Sequence, residues 1–145
     1  MAVTAKLYSN FPHLALEDAL AGSILTQTIK VALVTSSYTF NQETHDYFDD
    51  ITNEVTGTGY TAGGATLGTK TCTEATRVTT FDAADTSWAS STITARGAVV
   101  YYASGTASTS LLIAFIDFGA DKSTDNGTLA IQWNASGILT ITVGA

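Results

Sequence analysis

Glu43, Asp46, Asp49, Asp50 and Glu54 crowd into one short acidic stretch, "QETHDYFDDITNE", with Phe40, Tyr47 and Phe48 set among them. Carboxylates at such density offer oxygen ligands to a hard cation such as Ca²⁺, yet the D-x-D-x-D-G spacing of a helix-loop-helix calcium loop is absent. The duller chemistry is a solvated acidic face that meets a basic partner surface, with the aromatic residues anchoring the segment to the body. On that reading Phe40, Glu43, Asp46, Tyr47, Asp49 and Asp50 form a docking arm, and deletion of 41–50 is expected to leave a folded protein that no longer docks.

The next candidate is "NEVTGTGYTAGGATL", residues 53–67. A dinucleotide fingerprint needs G-x-G-x-x-G between a strand and a helix, because the helix N-terminus holds the pyrophosphate. Gly57, Gly59, Gly63 and Gly64 have other spacings, no helical pattern follows, and no Gly-Lys-Ser/Thr ending marks a phosphate loop. These glycines read as turns or bulges. Nucleophilic catalysis has no better anchor: Cys72 stands alone, far in sequence from His13 and His45, and is expected to be a packed small hydrophobe. The rings of Trp88, Tyr101, Tyr102, Phe115, Phe118 and Trp133 lie in alternating runs and read as core rather than as a sugar-stacking platform. No catalytic, metal or cofactor-binding residue is assigned, and the chain is expected not to be an enzyme.

The elements that must carry these residues are almost all strands. "VTAKLY" at 3–8 reads as a short strand. "NFPHLALEDALAGSI" reads as the one convincing helix, capped by Asn10, opened by Pro12, striped by Leu14, Leu16, Ala19 and Leu20, and closed by Gly22. "QTIKVALVTSS", 27–37, alternates as a strand buried on one side and half covered on the other. The 41–50 loop carries a short helical turn. Further strands are predicted at 54–60, 65–73, 76–82, 92–102, 110–118, 128–133 and 138–143. "LLIAFIDF" and "GAVVYY" are apolar on both faces and so belong at the centre of a sheet. The last two strands are expected to pair as a hairpin across "NASG", with Leu129, Ile131 and Trp133 facing the core beside Leu139, Ile141 and Val143. "ASGTASTS", 103–110, is the expected exposed loop.

At 145 residues, 45% hydrophobic and 13% charged, the chain has the size and composition of one domain spanning 1–145, all-β, mainly antiparallel, a β-sandwich or jelly-roll-like fold with one short N-terminal helix. The formal charge of −7, from 13 carboxylates against 6 Lys or Arg, opposes nucleic acid and anionic membrane surfaces as partners. No apolar run approaches a membrane span, "MAVTAKLYSN" lacks the basic start of a signal peptide, and synthesis in the cytoplasm is expected.

Several stretches, "AVTAKLYSNF", "IKVALVTSSYTFNQETHDYFDDITNEVTGTGYTAGGATL", "ARGAVVYY", "LIAFIDFG" and "WNASGIL", resemble a family of small virion-associated proteins of tailed bacteriophages. The 30–67 block carries the most specific part of the likeness. The resemblance implies a structural protein of the virion, made in the cytoplasm of the bacterial host, most simply a capsid decoration or cement protein on the major capsid lattice. The alternative it leaves open is a tail or head/tail-fibre adaptor, or a module that binds host-surface glycan. A homo-oligomer, with a trimer favoured, and a second docking arm in the N-terminal "MAVTAKLY" complete the expectation.

Overall fold

A computed structural model describes residues 2–17 and 19–144. In chain order the elements are β1 (Thr4–Leu7), α1 (Phe11–Leu16), β2 (Ile29–Val34), a 3-10 turn at Phe48–Asp50, β3 (Ala65–Thr66), β4 (Thr71–Ala75), β5 (Val78–Asp82), β6 (Thr86–Ser91), β7 (Thr94–Tyr102), a 3-10 turn at Ala107–Thr109, β8 (Leu112–Ser123), β9 (Gly127–Ile131) and β10 (Leu139–Thr142). All pairings are antiparallel. A five-stranded sheet, in the order β1-β8-β7-β2-β3, is accompanied by a three-stranded sheet, β10-β5-β4, and a two-stranded sheet, β6-β9. The fold is therefore the antiparallel, sandwich-like all-β class that the strand pattern implied.

The five-stranded sheet is apolar on both faces because both are covered. On one face Ile29, Val31, Leu33, Ala98, Val100, Leu111, Ile113 and Ile116 pack with Phe81, Trp88, Leu129 and Ile131 of the smaller sheets and with Phe11 of α1. On the other face Ala32, Val34, Val99, Tyr101 and Leu112 gather under Tyr8, Tyr38, Phe40 and Phe48. The strict period of two along β2 places alternate residues in each cluster. In β7 the register shifts between Ala95 and Gly97, so Ala95 and Ala98 both reach the first core.

Several sequence expectations need correction. The helix ends at Leu16, well before Gly22, and Leu16 points to solvent at 89% exposure. Among the described residues of that segment Phe11, Leu14, Ala15, Ala19, Leu20 and Ile24 reach the core, so the predicted stripe loses Leu16. Asn10 makes no side-chain cap: its backbone is already helical rather than extended, and its side-chain NH2 group donates to Asp46 instead. Residues 54–60 form no strand: Glu54 and Thr58 make single bridges to Val34 and Thr92, and Gly57 and Gly59, both at positive φ, break any ladder between them. The 65–73 strand is split into β3 and β4.

The β9–β10 hairpin does not form. A turn closed by the Gly137 amide on the Asn134 carbonyl hands Ile138 to the Phe81 carbonyl, so β10 pairs with β5 and β9 with β6. Leu129 and Ile131 do face the core, whereas Ile141 and Val143 are 57% and 62% exposed. Cys72 is also exposed, because every residue of β4, the outer strand of its sheet, is exposed.

Candidate docking surface

The acidic loop is a fitted cover over one face of the large sheet. Phe40 stacks on Phe115, with ring centroids 4.8 Å apart, and meets Tyr8 edge-on at 5.3 Å. Phe48 stacks on Tyr101 at 4.1 Å. Between these anchors the backbone is tied to the start of β8: the Leu112 amide donates to the Asp46 carbonyl and the Phe48 amide to the Ser110 carbonyl, each at 2.9 Å. Gln42 joins the loop to the end of β1, its side chain donating to the Leu7 carbonyl and its own carbonyl accepting from the Ser9 amide.

The carboxylates take different jobs. Asp50 accepts from the backbone amides of Asp46 and Tyr47 at 2.9 and 3.2 Å, closing the 3-10 turn in a capping box. Asp46 accepts from the Asn10 side-chain amide at 2.8 Å, fastening the loop to the entry of α1. Phe40, Asp46, Tyr47 and Asp50 are half-buried, while Glu43 and Asp49 are exposed. Of the six docking-arm residues, then, two project to solvent and four hold the platform that presents them. Asn41 shapes the tip, its side-chain oxygen accepting from the Glu43 and Thr44 amides.

Glu54 leaves the cluster. Its Oε1 accepts from the Tyr60 hydroxyl and from the Gly63 amide, both at 2.6 Å, and the Tyr60 hydroxyl in turn accepts from the Leu33 amide. The Tyr101 hydroxyl donates to the Gly63 carbonyl at 2.7 Å. The glycine-rich stretch is thus clamped against β2, and its composition follows from contact distance. A Cβ on Gly64 would sit 1.9 Å from the Val31 carbonyl oxygen, and one on Gly57 would sit 2.5 Å from that of Thr92. Both residues also hold positive φ.

Buried tyrosines dominate the electrostatics. Burial pushes the Tyr8, Tyr38 and Tyr60 phenols up, and Tyr101 up to about 12, because ionisation would place charge in an apolar surrounding. The Tyr8 and Tyr38 hydroxyls share a hydrogen bond of 3.0 Å, and Tyr38 bonds His45 Nδ1 at 2.8 Å, so His45 serves the underside of the loop. Arg96 reaches Asp117 through two bonds, and its guanidinium holds the Asp117 carboxyl below the usual range. His13 pairs with Glu17 one helical turn away, at 3.3 Å.

Among the described residues no three His, Cys, Asp or Glu side chains assemble a metal cage. Trp88, Tyr101, Tyr102 and Phe118 are buried, so four of the six rings weighed as a sugar platform belong to the core. Sequence reading missed Asn10 and Gln42 as loop anchors. Asn10 carried the stronger local signal of a helix cap, and nothing in spacing marks a contact 36 residues away. No family model, curated protein or solved structure matches the chain, so the phage likeness rests on its quoted segments alone.

Proposed function

We propose that the chain is a non-enzymatic structural protein of a tailed-phage virion that decorates the capsid, docking on the major capsid protein through the acid-tipped loop. One observation carries the reading: the loop is held by two aromatic stacks, an internal cap and three backbone bonds to the start of β8 and to the segment after β1, yet leaves Glu43 and Asp49 free at its surface. Pre-ordering a loop lowers the entropy lost on binding, and exposed carboxylates on a rigid base steer it toward a basic surface. Repetition over a lattice then converts modest single-site affinity into retention.

The titratable groups support the same role. Those most displaced from their ordinary behaviour are phenols hydrogen-bonded inside the protein, where they brace loops against the sheet. The test is binding of purified protein to particles that lack it, compared with Glu43→Lys and Asp49→Lys together. Reversal at these exposed tips leaves the fold intact and should lower binding about tenfold or more. Unchanged binding removes the loop from the interface.

A further inference from the structure

We propose that β10 of a second copy of this chain docks along β9, with Ile141 and Val143 entering the apolar groove beside it. The groove has a volume of about 700 Å³ and runs between the inner face of β1 and β8 and the edge of β9. Its apolar wall includes Ala5, Ile116, Phe118 and Trp133. All five consecutive residues from Thr128 to Gln132 line it. Side chains of a strand alternate between faces, so an unbroken run means that the strand's edge, with its backbone donors and acceptors, borders the groove. Among the described residues β9 pairs only with β6, which leaves that edge free for another strand.

The same chain carries the complementary strand. β10 pairs with β5 on one side, and among the described residues no strand pairs with its other edge. Ile141 in β10 and Val143 just after it are two of the five large apolar side chains exposed among the described residues, and Val3, which also lines the groove, is a third. Seating β10 of one copy along β9 of the next would join a three-stranded to a two-stranded sheet and cover both exposed side chains. Lys122 is the one charged residue of the groove wall, on a chain of net charge −7, so the acidic exterior of a second copy meets no carboxylate there. The inference goes beyond the capsid role and stands without it, since self-association is read in purified protein alone.

Sedimentation velocity from about 10 to 500 μM tests it. Wild-type protein should associate with rising concentration. Ala130→Arg, which blocks the groove at an exposed position of β9, and the double variant Ile141→Asp/Val143→Asp should each weaken association about tenfold or more. Both keep the wild-type melting curve because all three positions are exposed. An equimolar mixture of the two variants should associate again, since one supplies an intact β10 and the other an intact groove. Wild-type protein that stays monomeric, variants that associate like wild type, or a mixture that fails to recover would each overturn the proposal.

Discussion

The ring of Phe48 lies on that of Tyr101, with centroids 4.1 Å apart and planes within 18°. One ring comes from the acidic loop and the other from β7, a central strand, so the stack couples the surface feature to the interior. Phe48→Ala should destabilise the protein by about 2 kcal/mol, the share expected of a half-buried ring and its stacking partner. For a chain of this size that is a fall of about 4–8 °C in Tm. An unchanged melting temperature would mean that the loop does not cover the sheet.

The glycine-rich stretch makes a paired prediction. Gly64→Ala drives a Cβ into the Val31 carbonyl at a positive φ and should cost about 3 kcal/mol or more. Gly68→Ala, where no atom lies within 4 Å of the added Cβ, should change stability by no more than about 0.5 kcal/mol. Chemical denaturation of the two variants side by side checks this, and equal losses would contradict the contact account.

Alkaline pH should unfold the protein through its tyrosines. In the unfolded chain each phenol loses its proton near 10, whereas burial holds Tyr8, Tyr38 and Tyr60 higher and Tyr101 at about 12. Between these values the unfolded state binds fewer protons, so stability is fully present below pH 10 and falls as pH rises through 12. Tyr101 alone accounts for about 2 kcal/mol. Urea midpoints at pH 9 and pH 11.5 test this. A flat midpoint would show the phenols to be solvated.

How much of this could be read from the chain depended on the range of the interaction. β2, β7 and the first part of β8 were legible because Ile29–Val34, "GAVVYY" and "LLIAFIDF" carry their burial in local runs of apolar residues, as strands covered on both faces must. β6 was missed: in Thr86–Ser91 the only large apolar residue is Trp88, and its pairing with Leu129 is set by residues some forty positions away. The β4–β5 turn was placed two residues early, at 74–75, because Thr76 and Arg77 adopt positive φ without the glycine or asparagine that marks such turns. For the loop, the residue types announced a charged and aromatic segment. Which carboxylates would turn inward was decided by Asn10 and by backbone amides, groups with no sequence signature.

Quantifying this chain in purified, intact phage particles from its own host tests the central claim most directly. The account predicts a copy number approaching that of the major capsid protein, with the chain's density over the outer shell and the 38–51 loop turned toward it. Its absence from mature particles, or its presence there in only a few copies confined to the tail, would contradict the decoration role.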